Sequence, residues 1–255
     1  MNRVLTLAAF NIRVLLSERT WFFLAWALFG LQLLVYGSMM TKLVATSLPN
    51  YYYFYGVGLM IIIVFDSAAD VGRHFVEHAH EGELPYFLSL PVSRKGFLTS
   101  QAIYGVVNTL LKVAPPLLAV LYFSGLLTPV TALFSIGALF VLGLGISGFM
   151  ISMSFIAFKS VDIYSAVIAG LSALLVRFST VFYPLAFMPN YYSPVAIFSP
   201  LTWGAELTRW LIGFGPPDVS LNPALAIVVV VGIAVGTLAF STRVVDNIIE
   251  GVKAA

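Results

Sequence analysis

Residues 101–158 read QAIYGVVNTLLKVAPPLLAVLYFSGLLTPVTALFSIGALFVLGLGISGFMISMSFIAF, and the one charged side chain in that run is Lys112. Two apolar stretches of more than about 20 residues, each long enough to cross about 30 Å of hydrocarbon as a helix, meet at Leu127-Thr128-Pro129. So short a connection makes them an antiparallel hairpin of neighbours in space. Backbone amides in lipid must be satisfied within the segment, so the hairpin is helical.

The rest of the chain follows the same pattern. Of its 255 residues, 60% are apolar and 9% charged, against about 25% charged in a soluble domain. So little charge cannot coat a water-facing surface, and the chain reads as an all-α integral membrane protein. Six segments are long and apolar enough to span: residues 21–40, 52–69, 101–127, 130–158, 163–183 and 222–242. Together they form a single membrane domain over residues 1–255. There is no Cys, which excludes disulfides and thiolate-ligated metals, and the net charge of +2 gives no nucleic-acid footprint.

Basic residues in the connections set the orientation. Arg3, Arg13, Arg19, Arg73, Arg94, Lys95, Lys159, Arg243 and Lys253 fall on one side, Lys42 and Arg209 on the other, which predicts both termini in the cytoplasm. Ala45-Thr46-Ser47 could be a signal-peptidase site, but the apolar run before it is too long for a signal sequence, so the first span is expected to stay. Before that span, Val4, Leu5, Ala8, Ile12, Leu15 and Leu16 share one helical face and Arg3, Thr6, Arg13 and Ser17 the other. This predicts an amphipathic helix in the inner interface, or a cytoplasmic extension of the first span.

Two connections are more than loops. Between spans two and three, RHFVEHAHEGELPYFLSLPVSRKGFLTS (residues 73–100) predicts a short helix with acidic and apolar faces, stopped at Pro91 and suited to docking a cytosolic partner. Between spans five and six, Pro184, Pro189, Pro194, Pro200, Pro216 and Pro217 prevent one continuous helix. Ser199 and Pro200 open a short re-entrant or surface helix, on which Trp203, Leu207 and Trp210 share a side and Glu206 and Arg209 are spaced to interact.

The run EGELPYFLSLPVSRKGFLTSQ (residues 81–101), followed by FYPLAFMP (182–189) and SPLTWGAELTR (199–209), resembles the membrane permease of the second type of ABC exporter, ABC-2. The resemblance spans essentially the whole chain, although His80-Glu81-Gly82-Glu83-Leu84 stands where members often carry a basic residue, Glu, Gly, Thr and Leu. It implies half of an export pathway in the plasma membrane, paired with a second permease chain, most simply itself. A separate ATP-binding subunit would supply ATP and Mg, with no cofactor held by this chain. By the same resemblance, Glu77, Glu81, Glu83, Leu88 and Arg94 belong to a coupling helix that docks on the ATPase. Pro184, Pro189, Trp203, Glu206 and Arg209 belong to an outer gate. The sequence has no G-x-x-x-x-G-K-[ST] run, so no phosphate-cradling loop and no catalytic residues are expected here.

Three charges fall within spans. Lys112 should face protein or water, paired with Asp66 or in a polar pathway; Pro115 and Pro116 deprive the carbonyls of Leu111 and Lys112 of their helical partners. Arg177 can reach the outer interface. Asp66, Asp70 and Lys112 together admit an alternative, an ion-coupled secondary transporter, though the chain lacks the internal repeat usual there. His74, His78 and His80 with Glu77 and Glu81 read as a solvated face, because no second ligand-bearing helix accompanies them. Gly145-Ile-Ser147-Gly148 has the look of a serine nucleophile motif but no His lies near it, so Gly137, Gly143, Gly145, Ser147 and Gly148 are expected at a close helix contact. Tyr51 to Tyr55 read mainly as an interfacial aromatic belt, with a stacking surface as the lesser reading.

Overall fold

Proline and glycine positions divide the chain into helices, and burial decides how they assemble. A computed structural model describes residues 3–17, 19–44, 51–81, 93–156, 160–214 and 221–254. The helices are α1 (Arg3–Ser17), α2 (Arg19–Gln32), α3 (Ser38–Val44), α4 (Tyr51–His80), α5 (Arg94–Phe123), α6 (Pro129–Ile156), α7 (Val161–Arg177), α8 (Ser193–Phe198), α9 (Pro200–Ile212) and α10 (Pro223–Ala254). A π-helical turn, Leu33–Gly37, joins α2 to α3. No strand occurs among the described residues.

Among the described residues five helical stretches are long and apolar enough to cross a membrane: Arg19–Lys42, Tyr51–His78, Gly96–Phe123, Pro129–Phe155 and Pro223–Val244. The expected segment at residues 163–183 differs. Its helix, α7, has 17 residues, about 25 Å, and stops at Arg177. Its last carbonyls find side-chain donors instead of a further turn, Leu175 from the Ser199 hydroxyl and Val176 from that of Ser179. α4 in turn runs 11 residues past the expected boundary at 69, because hydropathy ends at the charged stripe while the hydrogen-bonded backbone continues.

α4 is the axis of the bundle. Val57, Met60, Ile61, Val64, Phe65 and Ala68 are buried on it, and α5, α6, α7 and α9 pack around it. α5 and α6 form the expected hairpin. Ser93 caps α5 through Gly96 N (3.1 Å), and Thr128 and Thr131 cap α6 reciprocally while Thr131 also donates to the Leu126 carbonyl. The bundle has a basic end, carrying Arg13, Arg19 and Arg73, and an aromatic end, carrying Tyr51 to Tyr55. At the basic end Phe75, Phe97 and Phe155 head a smaller core on which Leu7 of α1 packs. On α1, Ala8 and Leu15 are buried but Leu16 is exposed, so the inward face is narrower than the sequence suggested.

α10 lies along α6 at close range. A Cβ on Gly145 or Gly148 would sit 3.0 to 3.1 Å from the backbone of Ala234 or Leu238, and Thr237 donates to the Gly145 carbonyl at 2.7 Å. Small residues let the two backbones touch. Gly143 meets Thr109 of α5 instead, while Gly137 has nothing within 4 Å and takes no part in the contact expected of it.

Candidate functional site

Polar chemistry gathers at three levels, and the aromatic end is the densest. Beyond α7 the chain turns back as a strap, residues 178–199, and three elements hold it. Tyr51 of α4 donates to the Phe182 carbonyl (3.0 Å), Ser199 to that of Leu175 (3.1 Å), and Thr202 of α9 receives the Thr180 amide (3.3 Å). At the centre is Arg209 of α9. Its Nη1 donates to the Thr180 carbonyl (2.7 Å) and to Glu206 Oε1 (3.1 Å); its Nη2 donates to the carbonyls of Val181 (2.9 Å) and Phe54 (3.1 Å). The guanidinium carbon lies 3.4 Å from the centre of the Phe54 ring. The Thr180 carbonyl lies beyond the end of α7, where no helical amide can reach it, and Arg209 supplies a donor there.

This arrangement makes the ion pair internal, not a surface feature. Arg209 is 1% exposed and Glu206 7%. The sequence tally counts Arg209 as a charge in a connection; in the structure it is buried, and four acceptors replace its water. Trp203 is buried and donates to the Ile197 carbonyl (2.7 Å), whereas Trp210 is half-exposed, so only part of the expected Trp face is covered. Pro184 caps a single 3-10 turn, Leu185–Phe187, and Pro189 is exposed, its carbonyl bonded to the Tyr192 amide (2.8 Å). Arg177 is exposed at the C-terminus of α7, where a cation suits the helix dipole.

The tyrosines are braces more than a belt. Tyr51 and Tyr55 are buried and stacked at 6.0 Å, Tyr55 stacks on Phe182 (5.9 Å), and Tyr53 stacks on Phe214 (5.3 Å) while donating to the Phe123 carbonyl (2.9 Å). Sequence reasoning took Phe54 for part of the belt and missed its place under Arg209, and it missed Gly58 and Thr202 altogether. A Cβ on Gly58 would collide with the Val181 carbonyl, so Gly is what lets the strap settle on α4.

Toward the basic end Lys112 of α5 bonds Asp70 Oδ2 at 2.9 Å. Asp66 was the expected partner. The long Lys stem runs toward the basic end and reaches the carboxylate one turn further along α4, leaving Asp66 exposed. Helix α5 continues through Pro115 and Pro116, and the Leu111 carbonyl freed by Pro115 accepts from the Trp26 indole of α2 (3.3 Å). The pair is far more open than the one on α9: Lys112 is 16% and Asp70 44% exposed.

At the basic end Glu77 sits in the last turns of α4, bridging Arg73 (2.8 Å) and His74 (3.2 Å). Glu81 follows, exposed, its amide on the Glu77 carbonyl. Glu77 therefore belongs to α4 and not to a separate helix. Glu83 and Leu88 lie outside the described residues; Arg94 opens α5. His74 and His78 stack at 6.4 Å, and no group of three metal-ligating side chains occurs among the described residues.

Compared with known proteins, the chain matches no family profile and no curated sequence. Its functional reading rests on its own geometry and motifs.

Proposed function

We propose that this chain is the six-span membrane subunit of an ATP-driven exporter of the second ABC type. It works with a second permease chain, most simply a copy of itself, and with a separate ATP-binding subunit at the basic, cytoplasmic end. Both termini face the cytoplasm of a plasma-membrane protein. α7 spans with the strap as its outer closure, and the strap with Pro184, Pro189, Trp203, Glu206 and Arg209 forms the outer gate. Docking falls to the stretch from Glu77 to Arg94.

The observation that carries this reading is the continuity of α4. One helix of 30 residues, about 45 Å, ends at the basic end in Glu77 and His80. At the aromatic end it supplies Tyr51, Phe54 and Gly58 to the strap. A push on the basic end therefore reaches the outer closure along a rigid rod, as alternating access by movement of packed helices needs.

Co-expression with an ATP-binding subunit followed by Glu81→Lys tests it. ATP hydrolysis should continue while transport falls about tenfold or more, the loss of roughly one strong interfacial contact. Tags at either terminus should resist external protease in intact cells. Solute movement by the purified chain alone down an ion gradient, abolished by Asp70→Asn, would instead establish the ion-coupled reading on Asp66, Asp70 and Lys112.

A further inference from the structure

Helices α2 and α5 touch at Trp26 and stand apart on either side of it. Toward the basic end they enclose, with Leu15 of α1 and Asp70, Arg73 and His74 of α4, a recess of about 430 Å³. Toward the aromatic end Phe29, Leu33, Pro116, Ala119 and Phe123 line a recess of about 610 Å³ whose walls are almost wholly apolar. The first recess contains Asp70 and the second Tyr53, which lie about 25 Å apart along α4, most of the thickness of a hydrocarbon core. One seam thus has a charged end and a dry end at bilayer dimensions.

The charged end carries unused donors. A guanidinium has five N–H groups and an ammonium three. Among the described residues Arg73 uses Nε on Glu77 and Lys112 one hydrogen on Asp70. Of the side chains lining the recess, Arg73 and Lys112 are positive and Asp70 negative, while Glu77, outside the lining, pairs with Arg73. Arg13 and Arg19, both exposed, stand two residues from the lining residues Leu15 and Trp21. Leu24 and Leu28 continue from this end along α2, both half-exposed.

We propose that this seam binds a phospholipid with a net anionic head group, its phosphate at Arg73 and Lys112 and one acyl chain laid along α2 past Trp26 into the apolar recess. A free anion would use the head site but leave the dry half empty; an uncharged lipid would fill the dry half without the basic contacts. The site stands independently of the exporter assignment, since a carrier or a channel with this seam would hold the same lipid.

Native mass spectrometry of the full chain in detergent, titrated with dioleoyl phosphatidylglycerol or dioleoyl phosphatidylcholine, tests it. Phosphatidylglycerol should remain bound in preference to phosphatidylcholine, and glycerol phosphate should not displace it. Arg73→Gln with Lys112→Gln should weaken retention about thirtyfold, the value of two basic contacts at a membrane surface. Leu28→Trp, on an exposed wall where folding tolerates bulk, should block the chain track, while Val228→Trp, at a position 67% exposed on α10, should change nothing. Equal retention of the two lipids, displacement by glycerol phosphate, or undiminished retention in Leu28→Trp would each overturn the proposal.

Discussion

The strap at the aromatic end and the seam between α2 and α5 solve one problem in opposite ways. In each, a backbone carbonyl inside an apolar chain lacks a helical donor, Thr180 because it lies past the end of α7 and Leu111 because of Pro115, and a side chain from another helix supplies one. The strap uses Arg209, fully enclosed and shared among three carbonyls and Glu206. The seam uses the neutral indole of Trp26, and leaves its charges, Lys112 and Asp70, partly open. An enclosed ion pair is costly to break because either half alone is a charge stranded in low dielectric. An open one can exchange partners. The comparison teaches that the aromatic end is built to hold one arrangement and the seam to accept a ligand.

The largest effect expected is at the strap. Arg209→Met strands Glu206 and should destabilise the purified protein by about 3 to 5 kcal/mol in thermal or denaturant unfolding. Adding Glu206→Gln should restore part of that loss, since the stranded carboxylate is then gone. A near-neutral Arg209→Met would break the contrast outright. Next, Gly58→Ala puts a methyl group on the Val181 carbonyl and should cost about 1 to 3 kcal/mol by lifting the strap from α4. Trp26→Phe keeps the packing of the seam and removes a single hydrogen bond, for about 1 kcal/mol. Smallest of all, Lys112→Met should cost less than about 1 kcal/mol, because the half-exposed Asp70 left behind reaches water at the basic end. If Lys112→Met proved as damaging as Arg209→Met, the seam would be a lock as well.

Five of the six expected spans were legible because their signal is apolar length, which a bilayer demands whatever the tertiary packing. The α5–α6 hairpin, the α1 helix and the pairing of Glu206 with Arg209 followed equally from spacing. What could not be read was which way a polar group faces. Arg209 sits in a connection rich in Pro, and a tally by position counts it as a loop charge. Its surroundings carried the missing signal: Leu201-Thr202-Trp203-Gly204-Ala205 and Leu207-Thr208 leave α9 no wide polar face, the mark of a buried helix. Lys112 was paired with the wrong aspartate for a related reason. Sequence spacing gives the level of each Cα, while a lysine stem reaches a full turn beyond it. The strap itself depends on Gly58, Phe54 and Thr202, contacts between elements far apart in sequence, and no local pattern announces them.

The bare glycine face of α6 has a further consequence for biogenesis. Gly145 is fastened by Thr237, 92 residues downstream, so α6 must enter the bilayer and wait while the ribosome makes everything between. Until α10 arrives, a narrow adhesive stripe lies open to other helices in the membrane. A stall in synthesis before residue 223 leaves that stripe uncovered.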